Sequence, residues 1–351
     1  MKYINKLPEP EILAKQYAIN DNSKEKRLLR LNEIRHVLDG TDHRKLVIIG
    51  PCSADREDAI LDYTMRLKEI ESKLPELILI PRIYTGKPRT NGKGYKGLLH
   101  RPESDSSEDD LLHGLEHMRQ IHQKVITETQ LFPADELLYP ETYPYVKDLL
   151  VYMAIGARSV EDQQHRLIAS GMDLPVGMKN PTSGSGTVLL NSIVAAQSSQ
   201  RLIFSGWDVE TQGNAYAHAI LRGYVDDQNR NRPNYHYEDI RNVYDEYYRL
   251  NLKNPAVIID CNHSNSDKQY DEQIRIAEEV MFSCSKNKAI NRFVKGFMIE
   301  SYIEDGNQMI GEGVYGKSIT DPCLGWKKTE QLLYELNDLN KTVNETKRDK
   351  K

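Results

Sequence analysis

Residues 77–90 read Leu-Ile-Leu-Ile-Pro-Arg-Ile-Tyr-Thr-Gly-Lys-Pro-Arg-Thr. A short apolar run bounded by Pro and Gly predicts a strand buried on both faces, as in a parallel sheet. The run ends in Arg82, Lys87 and Arg89, with the Thr90 hydroxyl beside them. Arg and Lys are almost never fully buried without a partner, so packing alone does not account for cations at the end of a buried strand. An anionic ligand at the carboxyl edge of a parallel sheet does.

The same pattern recurs outward from this stretch: an apolar run, a polar loop, then an amphipathic segment. The runs are Lys45–Gly50, Leu77–Tyr84, Leu131–Leu137, Val151–Arg158, Pro175–Lys179, Leu202–Ser205, Ala256–Asp260 and Phe293–Glu300. Eight alternating units without a linker predict an α/β fold, a (β/α)8 TIM barrel over residues 45–340. An N-terminal helical arm (residues 1–44) precedes it and a charged tail (341–351) follows. Ser23 to Leu38 predicts a helix, with Ser23 as cap, Leu28, Leu31, Ile34 and Leu38 as stripe, and Gly40 as stop. The final helix is expected over Lys327–Leu339. An open doubly wound sheet would need a switch point, and no G-x-G-x-x-G opens any of the helices.

Composition sets outer bounds. Over 351 residues, 39% hydrophobic and 28% charged content fits a chain with a sizeable core. A net charge of −5 argues against general affinity for nucleic acid or anionic membrane, so anion binding must be local. Four cysteines, at 52, 261, 284 and 323, show no C-x-x-C pairing, which suits a reducing, cytoplasmic setting. No run approaches membrane-spanning length.

The predicted strand ends and the loops after them carry a consistent set of groups. Arg82, Lys87, Arg89, Arg158, Lys179 and Arg222 are cations, and Glu136 is an acid among them. Six converging cations repel one another unless anions lie between them. Two phosphates, or a phosphate and a carboxylate, would answer that charge. Cys52, His263, Glu300 and Asp321 form a second group: a thiolate, an imidazole and two carboxylates, a donor set suited to a divalent transition metal. Taken singly, each also has a plainer reading, the His as a bonded core residue and the Cys as a small hydrophobe. His113-Gly-Leu-Glu116-His117 matches a zinc-protease pattern, but its histidines fall opposite the stripe of Leu111, Leu115, Met118, Ile121 and Val125, on a solvated face.

G-P-C-S at 50–53, K-P-R-T at 87–90, G-A-R at 156–158, L-R-G at 221–223, H-S-N-S at 263–266, E-S at 300–301 and G-K-S-I-T-D at 316–321 together resemble the type I 3-deoxy-D-arabino-heptulosonate 7-phosphate (DAHP) synthases, in the branch of enteric bacteria and yeast. The resemblance runs from about Leu46 to the last helix. It implies a transferase at the first step of the shikimate pathway, joining phosphoenolpyruvate (PEP) to erythrose 4-phosphate with release of phosphate. It implies Cys52, His263, Glu300 and Asp321 as ligands of one divalent metal (Mn, Fe, Co or Zn). Arg82, Lys87, Ala157, Arg158, Lys179 and Arg222 would hold PEP, and Lys87, Pro88, Arg89, Thr90 and Asp321 the aldose phosphate. Lys87, Glu136 and His263 are the expected catalytic groups. The expected partners are small phosphorylated substrates and further copies of the chain, as a dimer or tetramer, with no nucleic acid or membrane.

Some features depart from the family pattern. Cys261 stands where an aromatic is usual. The arm and the segment between the sixth strand and Arg222 look short, which predicts weak or absent inhibition by aromatic amino acids. Cys323, two residues past Asp321, is a candidate to pair with Cys52 on oxidation. Two competing readings are a Schiff-base aldolase using Lys179 and a non-catalytic amino-acid sensor.

Overall fold

The computed structural model describes residues 1–89, 92–103, 106 and 108–348. Thr90, expected at the aldose phosphate, lies outside them. Eight parallel strands form one sheet: β1 (Lys45–Gly50), β2 (Leu77–Pro81), β3 (Ala134–Leu137), β4 (Tyr152–Ile155), β5 (Val176–Lys179), β6 (Ala217–Leu221), β7 (Val257–Asp260) and β8 (Val294–Glu300). Their order is β2-β1-β8-β7-β6-β5-β4-β3. A parallel bridge between Arg82 and Ala134, with Ile83 N–H donating to Ala134 O at 2.9 Å, joins β2 to β3 and closes the ring. That closure decides between the barrel and the open sheet.

The strands are apolar through their length because helices cover the outside and side chains fill the inside. The sixth strand is not the one expected. Leu202–Ser205 lies in an antiparallel hairpin of Arg201–Phe204 with Trp207–Glu210, outside the barrel. Ser205 and Gly206 both have positive φ, 49° and 77°, the geometry of a two-residue primed turn. The hairpin displays Ile203 and Trp207 at 86% and 74% exposure. The true sixth strand, Ala-His-Ala-Ile-Leu, is fully buried. Arg222 therefore follows it directly, and the segment before Arg222 holds the hairpin and the true sixth strand.

The helix Asp21–Asp39 is capped by Asn20, whose side chain accepts from Ser23 N, and it ends at Gly40 with φ 87°. Leu31, Ile34, Val37 and Leu38 form its buried face, while Leu28 is exposed. It crosses the amino ends of the strands. Arg27 donates to the carbonyls of Lys147 and Leu150 before β4, and Arg30 pairs with Glu71 before β2. The arm ahead of it holds a short helix, Pro10–Gln16, docked through Leu13 and by Tyr145 Oη donating to Pro8 O. The last helix, Trp326–Arg348, runs past Leu339 into the segment expected as a tail.

A polar pair sits among the apolar side chains at the barrel floor. Tyr152, at the start of β4, donates its hydroxyl to His218 Nε2 at 2.9 Å, and His218 Nδ1–H donates to Tyr216 O at 2.8 Å. Burial pulls the His218 pKa down to about 4, so the ring is neutral and both nitrogens are satisfied. Tyr152→Phe leaves one buried acceptor unpaired and is expected to destabilise the fold by about 1–3 kcal/mol. Urea unfolding measures this, and an unchanged midpoint would refute the pairing.

Candidate active site

The carboxyl ends of the strands open on a cavity of about 650 Å3. Arg82, Lys87, Arg89, Arg158, Lys179 and Arg222 all line it, with Pro88, Glu136, Ala157, His263, Asp321 and Cys52. Glu300 lies fully buried at its base. The described residues singled out from sequence therefore meet in one place, although they come from all eight strand ends and the loops beyond.

Arg82 is 2% exposed and occupies the wall between β1, β2 and β8. Its Nη2 donates to Glu300 Oε1 at 2.7 Å and to Cys52 O at 3.1 Å, and its Nε to Pro51 O at 3.2 Å. The guanidinium lies 3.8 Å over the Tyr84 ring. Burial opposes its charge, but Glu300 and its other neighbours more than restore it, so its pKa rises above the ordinary value. Nη1 has no partner among the described residues. Arg222 is also buried with an unpartnered Nη1, and burial together with nearby Arg158 lowers its pKa. Buried cationic donors without acceptors mark where an anion would bind.

The protein supplies part of the counter-charge itself. Lys179 Nζ stands 3.2 Å from Glu136 Oε2 and 3.7 Å from Asp260 Oδ2. Burial disfavours the Glu136 charge, but Lys179, Arg82 and Lys87 outweigh it, so Glu136 is a carboxylate with a lowered pKa. Asp260 is depressed likewise, by His263, Lys179 and Arg82 against burial.

Beneath the cations lies the second group. One ligand atom each from Cys52, Glu300 and Asp321 falls within 4.8 Å of the others. His263 stands beside this trio rather than within its mutual span, its Nε2 3.7 Å from Glu300 Oε1. Asp260 takes His263 Nδ1–H at 3.0 Å, which fixes the tautomer and leaves the Nε2 lone pair toward the cluster. Glu300 Oε2 accepts from Asn262 Nδ2 at 2.6 Å, and the Glu300 backbone is held on both sides by the Gln273 amide. Asp321 Oδ1 accepts from Lys268 Nζ at 3.0 Å, which leaves Oδ2 to Lys87 and Cys52. Lys87 Nζ stands 2.6 Å from Cys52 Sγ and 3.4 Å from Asp321 Oδ2, a positive charge among the donor atoms. Burial and Glu300 push the Cys52 thiol up to about 12. Cys323 is near, its Sγ accepting from Cys52 N–H at 3.4 Å.

The loop after β2 is folded back on itself to aim Lys87 and Arg89. Leu99 N–H donates to Thr85 O and Lys87 N–H to Lys96 O. Gly97 makes this return possible: its φ is 91°, and a Cβ there would lie 2.2 Å from Thr85 O. Asp135 ties the loop to β3 by accepting from the Thr85 backbone and hydroxyl. Arg222 is set by a chain of buried amides. Its N–H goes to Asn180 Oδ1, Asn234 Nδ2 reaches the same oxygen, and Asn234 N–H goes to Asn265 Oδ1. Sequence reading missed these asparagines, Asp260, Asn262, Tyr84 and Lys268. The D-x-N-H spacing at 260–263 was the visible signal for Asp260 and Asn262, and H-S-N-S at 263–266 for Asn265. His113 and His117 lie on their helix away from the cavity, with Asp110 and Glu57 as partners.

Residues 17–334 match the sequence profile of the DAHP synthetase I family. A Tyr-sensitive phospho-2-dehydro-3-deoxyheptonate aldolase of Salmonella typhimurium is 37% identical over 314 residues, covering 87% of this chain and 85% of the relative. A Trp-sensitive one of Enterobacter agglomerans is 37% identical over 341 residues and 94% of both chains. The structure of a phospho-2-dehydro-3-deoxyheptonate aldolase from Francisella tularensis superposes with a TM-score of 0.90 at 30% identity, covering 98% of this chain and 99% of that one. By profile, sequence and architecture alike, this chain belongs to the DAHP synthetase I family.

Proposed function

We propose that the chain joins PEP to erythrose 4-phosphate, giving DAHP and inorganic phosphate at the entry to the shikimate pathway. The observation that carries this is the gathering of six cations from four strand ends on one cavity, with carboxylates interleaved. Arg82, Arg158, Lys179 and Arg222 would answer the phosphate and carboxylate of PEP beside the Ala157 backbone. Pro88, Arg89, Lys87 and Asp321 would face the aldose. Holding two mutually repelling anions in register is most of the catalytic task.

Cys52, His263, Glu300 and Asp321 would hold one divalent metal ion, and Mn, Fe, Co and Zn all suit that donor set. The fit rests on the converging ligand atoms and on the lysine charge already drawn among them. Once bound, the ion would supply Lewis-acid polarisation of the aldehyde oxygen. The chain's own groups then act on protons. PEP C3 forms the new bond to the aldehyde carbon, and the Lys87 ammonium protonates the alkoxide that results. Water adds at the electron-poor C2 and gives a proton to Glu136. The C2–O bond to phosphorus then breaks, the electron pair leaving with phosphate. The hydroxyl proton transfers to the departing group as C2 becomes the ketone.

The Schiff-base alternative finds less support, because Lys179 is buried between two carboxylates rather than presented as a free amine. The expected insensitivity to aromatic amino acids loses its ground too. The arm and the Arg201–Glu210 hairpin are both present and flank a cavity of about 660 Å3 lined by Leu7, Tyr145, Phe204 and Trp207. Inhibition by an aromatic amino acid is now the better reading, in line with the names of the relatives.

Phosphate release from PEP by metal-depleted protein is expected to need both erythrose 4-phosphate and added divalent metal. Release without the aldose, or indifference to chelator, would sink the assignment, and borohydride trapping with substrate would favour the lysine imine. Asn262→Ala removes a bond that orients Glu300 and is expected to weaken metal affinity about 10–100-fold in equilibrium dialysis. Affinity equal to wild type would show that Glu300 needs no such support. Tyrosine, phenylalanine or tryptophan at millimolar level is expected to slow turnover, and full activity with all three would restore the original expectation.

A further inference from the structure

At the opposite end of the barrel, Lys295 occupies the second position of β8 and is 6% exposed. Lys45, the first residue of the neighbouring β1, is also buried, but its Nζ donates to the carbonyls of Asn291 and Val294 at 2.9 and 2.5 Å. Among the described residues the Lys295 amine has neither a hydrogen-bond partner nor an ion-pair partner. It lies beside Gly40, whose Cβ, if added, would come within 3.4 Å of it. From there it faces a small cavity walled by His43, Arg44, Asn291 and Arg292. Those four residues also line a basin of about 960 Å3 open on the amino face of the barrel, so the small cavity is the floor of the larger one. Asn291 Oδ1, buried in the same wall, is unpartnered as well.

The charge around this floor is unbalanced. Arg44 and Asp42 pair with each other at 2.7 Å. That leaves Lys288 and Arg292 on the basin and Lys295 on its floor, with Asp39 and Glu76 as the remaining acids of the basin. Glu76 is occupied by the amides of Asn340 and Asn344. Burial, with Lys45 and Arg292 close by, pulls the Lys295 pKa down to about 8. An apolar side chain at this strand position would pack without that penalty. The floor carries Arg44, Lys45, Arg292 and Lys295 against Asp42 alone, and an amine left there without a hydrogen-bond partner among the described residues is accounted for if an anion completes its coordination.

We propose that the amino face of the barrel carries a second anion site, in which Lys295 at the floor and Arg292 at the rim bind a phosphate dianion, either the free ion or the head of a phosphate monoester. Asn291 Oδ1 would accept a hydrogen bond from the P–OH of the free ion or from a water bridging to a monoester. The site is separate from the catalytic cavity, which lies at the carboxyl ends of the same strands.

The test is equilibrium dialysis of the metal-loaded full chain against radiolabelled inorganic phosphate. Wild type is expected to show a class of binding sites that Lys295→Met removes, or weakens about tenfold for the loss of a charge-assisted contact, while turnover stays unchanged. Arg292→Ser, at an exposed position, is expected to weaken the same class and serves if the buried substitution fails to fold. Displacement of the label from that class by glycerophosphate assigns the site to monoesters, and retention of the label assigns it to the free ion. Identical phosphate isotherms for wild type and Arg292→Ser, or no class of sites beyond those lost with the catalytic cations, would overturn the proposal.

Discussion

Arg82 and Glu300 meet at 2.7 Å with almost no solvent on either. Each is placed by a different strand, Arg82 directly after β2 and Glu300 at the end of β8, with β1 between them. The pair joins the two groups in the cavity, since Arg82 belongs to the anion-facing cations and Glu300 to the metal-ligand cluster. A buried ion pair is weak evidence for stability, because desolvation offsets much of the attraction. Its clearer effect here is geometric. Glu300 has one oxygen held by Arg82 and the other by Asn262, so the carboxylate cannot rotate.

Electrostatics explains why so many like charges share one mouth. Read from sequence, six cations seemed to need external anions to be tolerated. The structure shows that carboxylates already stand among them: Glu136 and Asp260 against Lys179, Glu300 against Arg82, Asp321 against Lys87 and Lys268. The resting site is therefore a lattice of alternating charge. Among the described residues, unpartnered buried nitrogens on Arg82 and Arg222 remain for a ligand. Groups held rigidly in this way need little reorganisation when charge moves during a reaction.

The barrel and the cavity were legible because they rest on long-range regularities: recurring apolar runs and cations at their carboxyl ends. The sixth strand was not. Arg201–Phe204 is as apolar as several barrel strands, and Ala-His-Ala-Ile-Leu is short and carries a histidine. Only the Ser205-Gly206 turn distinguishes them, since a two-residue primed turn makes an antiparallel hairpin and cannot lead into a parallel barrel strand. The supporting amides were invisible for a different reason. Asn180, Asn234 and Asn265 each look like ordinary loop residues, and their meaning lies in partners 31 to 54 positions away. Leu28 shows the converse, an apolar residue at stripe spacing that the helix turns to solvent.

Ring closure at Arg82 carries a further implication. The backbone of this one residue bridges to Ala134, while its side chain lies in the cavity wall. The seam's hydrogen bond, from Ile83 N–H to Ala134 O, is thus one residue along the chain from the side chain in the ligand wall, and no lever arm separates them. A molecule that draws the guanidinium inward pulls directly on the stitch between the second and third staves. Occupancy of the mouth should then be felt around the whole circumference as stiffness, without any hinge, lid or relay to carry it.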